Sequence, residues 1–467
     1  MQHRPATLPR HGTGTSGDRR PRRQGTLLSR RRPRPDRGTT RPATYGQVFA
    51  VGEFRPLFGS YLLSTIGDEL ARVALTVLVY QRTESAMLSA ITFGISYLPW
   101  ILGGPVLAAL ADRLPRHRVL ITSDLVRAVL VAAMAVPGLP LALLLGLLLV
   151  VSLCSPPFEA ARSALMADVL EDDRYAVATS LTGVTAQVSQ LIGFLLGGAL
   201  LLHFSPSAAL LLNAATFAVS AGWLALGLQP RPAPGSADAG TEVRSLWRET
   251  ASGMRFVAGT PRLLSIVGVL WVAALFVNAP EGIATPLGLQ LQGTTAATGI
   301  LLAAAPAGTA LGGLVVGRFC PPHVRERLLA PLVALSLGGV LLAGLVPVWL
   351  GTGTAAFAAV VALFFVAGIG GACSIPLNVA FVQAVPSAFR GRAFGVAAAG
   401  LAGVQGLGVV LAGLGAEVLA PNTVVALSGG IGLVVVVVPL IALRRSRPAG
   451  TTARVSPAPA PGGPSQS

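Results

Sequence analysis

The sequence contains no lysine, and all 35 of its basic residues are arginine. A Walker A nucleotide site, whose lysine reaches the β- and γ-phosphates, is thereby excluded, as are Schiff-base and Ser-Lys catalysis. Cysteine is almost missing as well. Cys154, Cys320 and Cys373 lie far apart without C-x-x-C or Cys/His spacing, so neither a disulfide framework nor a zinc site is indicated. His3, His11, His117, His203 and His323 are scattered, with no H-E-x-x-H or nucleophile-elbow pattern. The residues imply no cofactor, no metal and no enzyme. Charge is scarce too, at 12% of residues against about 25% in a soluble domain. With 52% hydrophobic residues and a mean hydropathy of +0.68 over 467 residues, the chain is not a soluble globular protein.

What is present is a series of apolar runs, many reaching the roughly 20 residues that cross a bilayer. Spans are predicted near 55–80, 87–111, 119–138, 140–164, 176–202, 208–228, 263–288, 294–317, 328–349, 353–378, 390–418 and 422–443. The expected fold is therefore an all-α membrane protein with twelve transmembrane helices. Residues 1–53 are rich in Arg, Pro, Gly and Thr and are expected to form a disordered cytoplasmic tail, as are residues 444–467. Residues 1–54 hold 12 Arg against Asp18, Asp36 and Glu53, and residues 444–467 hold 4 Arg and no acid. Most of the formal charge of +16 thus sits on two solvated tails, which argues against a nucleic-acid-binding domain. The basic tail suits the anionic inner surface of a membrane.

The longest polar gap, residues 229–262, is read as a cytoplasmic loop between six-helix halves at 54–228 and 263–443. Twelve spans put both termini on one side. Loops rich in Arg stay cytoplasmic, and with the N-terminus inside, the inner loops hold Arg113, Arg116, Arg118, Arg174, Arg231, Arg244, Arg248, Arg255, Arg318, Arg325, Arg327, Arg390 and Arg392, while the outer loops hold only Arg82. The localisation expected is a multi-pass position in the cell membrane with both ends cytoplasmic. A weak internal repeat supports the halves: "GGPVLAALADRLPRHRVL" (103–120) parallels "GGLVVGRFCPPHVRERLL" (312–329). Two halves related by an axis along the membrane normal are a known transporter arrangement.

Between the second and third spans, Asp112, Arg113, Arg116 and Arg118 match the charged core of a G-x-x-x-D-R-x-G-R-R-like loop, with Ala108 and Pro115 where that pattern has glycine. This loop resembles motif A of the major facilitator superfamily, and the resemblance covers residues 54–443. "FRPLFGSYLLSTIGDELARVALTVLVY", "TESA", "SDLVRA", "EAARSALMADVL" and "RGRAFGV" are similar to the branch that includes enterobactin-type siderophore exporters and macrolide efflux proteins. The resemblance implies proton-driven export of a drug, antibiotic, siderophore or secondary metabolite by alternating access. It also implies a latch in which Asp112 ties the second span to the start of the eleventh, with Arg390 or Arg392 as partners, and a cavity among the first, fourth, seventh and tenth spans.

Other candidates follow from charges placed in apolar spans, which are costly and tend to face an interior cavity. Asp68 lies near the middle of the first span and shares a face with Arg72 at i,i+4, which predicts an ion pair; Glu69 points elsewhere. Asp68, Glu69 and Arg72 are the proton-coupling candidates. Asp124 with Arg127 and Glu159 with Arg162, both i,i+3, are expected to be structural pairs. Asn278 and Glu281, placed toward the outer end of the seventh span, are candidates for the cavity or its gate. Span five, Ser189 to Gly198, partly matches the antiporter motif C, with Phe194 in place of its proline. The expected partners are a small-molecule substrate, protons and the lipid bilayer, for a monomer without nucleic acid. A proton-coupled nutrient importer, or a non-transporting receptor or scaffold, are the alternatives.

Overall fold

Apolar segments of 20 to 30 residues satisfy their backbone polar groups internally by forming helices, and every regular element among the described residues is helical. The computed structural model describes residues 44–102, 114–231, 251–386 and 389–446. A short helix, Tyr45–Phe49, precedes α1 (Phe54–Thr83), α2 (Ala86–Ile101), α3 (Arg116–Met134), α4 (Leu141–Val169), α5 (Asp172–His203) and α6 (Pro206–Gly227). After the linker come α7 (Pro261–Gln292), α8 (Ala297–Phe319), α9 (Pro322–Leu350), α10 (Thr354–Ala384), α11 (Arg390–Ala416) and α12 (Pro421–Arg445). Nine of the described helices are long and apolar enough to cross a membrane. The helices α1 and α3 miss that measure because of charges within them: Asp68, Glu69 and Arg72 in α1, Asp124 and Arg127 in α3.

Prolines mark where the long helices tighten. A proline has no N–H for the carbonyl four residues back, and the freed segment relaxes into a narrower turn. In α2 a 3-10 turn at Ile95–Tyr97 precedes Pro99; in α10 one at Gly371–Cys373 precedes Pro376. In α7 the 3-10 segment Ala279–Ile283 contains Pro280, and the carbonyl of Phe276 that Pro280 cannot bond accepts instead from Ser428 Oγ of α12 at 2.6 Å. These two interruptions, in α2 and α7, bring Tyr97 and Glu281 together.

Three of the buried apolar clusters frame the site. Leu75, Met134, Leu144 and Phe217 join α1, α3, α4 and α6, while Leu287, Val340, Val360 and Val425 join α7, α9, α10 and α12. Val73, Phe93, Phe194, Ala284, Leu302 and Val409 form a seam that connects α1, α2 and α5 with α7, α8 and α11. At that seam α5 and α8 touch backbone to backbone. A Cβ added to Gly299 would lie 2.4 Å from the carbonyl oxygen of Phe194 and 2.6 Å from Cα of Gly198, so only glycine fits there. The Gly-rich end of the motif-C-like stretch is thus a helix contact.

Candidate functional site

The first part of the site is a cavity of about 380 Å³ enclosed by α1, α2, α3, α4 and α6. Its charged lining consists of Asp68, Arg72, Arg127 and Glu159. Three of these have partners close by. Arg127 is wedged between the rings of Phe158 and Phe217, with 5.2 and 5.3 Å to the centroids, donates to Ser155 Oγ at 2.7 Å and faces Asp124 at 3.8 Å. Asp124, fully buried, also accepts from Ser220 Oγ of α6 at 2.5 Å. Arg162 donates to Glu159 Oε2 at 2.7 Å and lies over the Tyr61 ring at 4.0 Å. The paired charges are therefore embedded among aromatic faces, which offset part of the cost of taking an arginine out of water.

The predicted Asp68–Arg72 ion pair does not form. Arg72 pairs with Glu69 at 3.0 Å. Glu69 faces α5 at Gly193, where an added Cβ would meet Glu69 Cβ at 2.5 Å and the Ile66 carbonyl oxygen at 2.7 Å, so α1 and α5 approach closely there. Arg72 leans the same way, over the Phe93 ring at 5.1 Å, and Asp68 is left facing the cavity.

The second part of the site spans the seam. Tyr97 of α2 donates its hydroxyl to Glu281 Oε2 of α7 at 3.3 Å. Arg72 is close enough for the charges of Glu69, Tyr97, Glu281 and Asp68 to act on it. Glu281 lies in the 3-10 interruption of α7, in the C-terminal part of a helix that runs on through Gln292. Asn278 caps the preceding turn, donating to Ala274 O at 3.0 Å. Both line a second cavity of about 260 Å³ together with Tyr97, Gln190, Ser336 and Gln405. Tyr97 and Gln190 were not singled out from the sequence. Their signal was available, since a tyrosine or glutamine deep in an apolar helix needs a polar partner.

The motif-A-like loop is only partly visible. Asp112 and Arg113 lie outside the described residues, as does the side chain of Arg390. Arg116 pairs with Asp168 near the end of α4, Arg118 is at the start of α3, and Arg392 stands over the Phe389 ring at 6.0 Å. In the parallel loop, Arg325 donates to the carbonyls of Cys320 at 2.7 Å and Gly317 at 2.8 Å, closing the C-terminus of α8. At the opposite end of the bundle, Glu417 beyond α11 accepts from Ser85 Oγ at 2.7 Å and from the Met87 N–H at 2.8 Å, at the start of α2.

A bundle of apolar helices around polar cavities, with the carboxylates of Glu281 and Glu417 hydrogen-bonded across its seam, describes a membrane carrier. The family model described as Major Facilitator Superfamily matches residues 57–352. The chain belongs to that superfamily and is a multi-pass membrane transporter of a small molecule, not an enzyme. It is 28% identical over 360 residues, 75% of this chain and 84% of the relative, to a protein of Bacillus subtilis (strain 168) called "Uncharacterized MFS-type transporter YfiS". Among solved structures, it resembles a POT family transporter in complex with 5-aminolevulinic acid, with a TM-score of 0.68, 13% identity, and coverage of 87% of this chain and 98% of that one. It also resembles a protein from work on substrate recognition in proton dependent oligopeptide transporters, with a TM-score of 0.64, 13% identity and coverage of 85% and 99%. These likenesses show the fold.

Proposed function

We propose that this chain is a proton-driven exporter of small amphipathic molecules in the cytoplasmic membrane. In this reading it has twelve spans in two halves, 54–228 and 263–443, and both termini, with the loop 229–262, are cytoplasmic. The observation that carries it is a pair of contacts beside each other at the seam, Arg72 with Glu69 on α1 and Tyr97 of α2 with Glu281 of α7, with the Arg72 charge within electrostatic reach of Glu281. A buried carboxylate is tolerated when it is paired or protonated. Protonating Glu69 cancels its hold on Arg72 and frees the guanidinium for Glu281 on the other half. Proton occupancy and the contact between halves are then one two-state element, which is what alternating access driven by a proton gradient requires.

Export rather than import rests on the sequence resemblance to the siderophore- and macrolide-efflux branch. Import is the second reading, favoured by the fold neighbours described as peptide transporters. The direction is tested in everted vesicles with an acid interior. Adding dyes, macrolides or siderophores should make the interior more alkaline, and Glu69→Gln should abolish the response. Acidification on adding substrate would reverse the direction, and no proton movement with any substrate that the protein demonstrably carries would refute the coupling. The latch belongs to the same reading: Asp112, with Arg390 or Arg392, closes the cytoplasmic end and breaks in each cycle. Asp112→Asn should lose transport while keeping membrane insertion, measured by uptake and by surface labelling; full transport in that variant would sink the latch.

A further inference from the structure

The cavity of α1, α2, α3, α4 and α6 contains one charge that the protein does not neutralise. Arg72 is paired with Glu69, Arg127 with Asp124, and Glu159 with Arg162. Asp68 makes neither a hydrogen bond nor an ion pair among the described residues, although Arg127 and Arg72 are near enough for their charges to act on it. One turn earlier on the same face of α1, Ser64 is 3% exposed, and its hydroxyl is buried behind the cavity wall without a hydrogen-bond partner. An unpaired carboxylate is thus presented to a space with apolar walls that include Leu75, Met134 and Trp100. Buried polar groups without partners carry a free-energy cost that a complementary guest can remove.

We propose that this cavity binds a small amphipathic monocation, with a protonated amine on the Asp68 carboxylate and the apolar body against Leu75, Met134 and Trp100. The inference rests on reading the chain as a small-molecule carrier, and it names the substrate class. Selectivity follows from charge count. A cation completes the last open pair in the cavity, a neutral analogue leaves Asp68 alone, and an anion adds a second negative charge beside it.

The test is equilibrium binding to the full-length protein in lipid nanodiscs at neutral pH with no gradient. The fluorescent probes are 2-naphthylmethylamine, its neutral counterpart 2-naphthalenemethanol and the anion 2-naphthylacetate, with empty discs as the blank. The amine should bind at least about tenfold more tightly than the alcohol, and the carboxylate more weakly still, a tenfold ratio being the effect of one modest charge contact. Asp68→Asn should bring the amine down to the level of the alcohol, and Asp68→Glu should keep the preference. Equal binding of amine and alcohol by the unmodified protein would overturn the inference without recourse to any variant. So would the absence of saturable amine binding, or full amine affinity in Asp68→Asn. Because the assay involves no proton movement, loss of proton coupling alone would refute the exporter reading and leave this site standing.

Discussion

Residues 54–227 and 261–445 solve the same packing problem in opposite ways. The first set buries Glu69, Asp124, Arg127 and Arg162, wraps the arginines in aromatic rings and keeps an open polar cavity. The second holds a single acid away from its ends, Glu281, and packs its helices at close range through glycines. A Cβ on Gly308 would lie 1.9 Å from Phe365 O, one on Gly344 2.2 Å from Ala426 N, and one on Gly429 2.2 Å from Leu341 N. The repeat makes the contrast local. Arg116 and Arg325 occupy matching places in the two parallel loops, yet one pairs with Asp168 and the other caps its own helix. Carried forward in the same register, Asp124 and Arg127 of α3 fall opposite Val333 and Ser336 of α9. The first set of helices thus carries buried charge and the second little, so the seam between them is where a change of charge can be turned into a change of contact.

The largest expected effect breaks the charged half. Arg127→Met leaves Asp124 buried without its cation and should cost about 3–5 kcal/mol in unfolding experiments in detergent. The matching Ser336→Ala in the other half should stay within about 1 kcal/mol. A similar loss at both positions would remove the distinction. Next in size is the tight half. Gly344→Ala forces a Cβ into the backbone of α12 and should cost about 1–3 kcal/mol. Gly146→Ala in α4, where nothing lies within 4 Å, should gain about 0.5–1 kcal/mol from helix propensity.

The smallest effect concerns Glu417, which spans the seam at the end assigned to the outside. The Met87 N–H and then the Ser85 hydroxyl hold its carboxyl below the usual glutamate range. A depressed value in the closed form means that the contact is at full strength at neutral pH. It is lost only as the pH falls through that lowered value. Spin labels at Ala86 and Val418 should show a narrow distance at neutral pH that broadens in acid, and Glu417→Gln should broaden it at neutral pH. A pH-independent distance in both proteins would remove the contact from the gate.

Much of the fold was legible because apolar run length obeys a strong constraint. Each predicted span overlaps a described helix, although the helices starting at Pro322 and ending at Ala384 run beyond their predicted ends, and the proline-linked turns fall where the missing N–H groups require them. The pairing inside the first helix was not legible. Asp68 and Glu69 are adjacent, both are at helical spacings that can reach Arg72, and spacing alone does not choose between them. Glu281 was identified as a candidate, but its partner Tyr97 was not, because the bond exists only where two helices are interrupted at the same level. Ser64 gave no signal at all, since an unsatisfied hydroxyl is visible only once the packing around it is known.

The central claim is that Glu69 and Glu281, one from each half, tie proton binding to the movement of the halves. It is tested most directly by uptake of a carried substrate into proteoliposomes with and without an imposed pH gradient, for the unmodified protein, Glu69→Gln and Glu281→Gln. The account predicts that the unmodified protein concentrates substrate only with the gradient. Either variant should lose that accumulation by at least about tenfold, while Glu281→Gln still exchanges substrate down its own gradient. Accumulation by both variants at the unmodified level would contradict it.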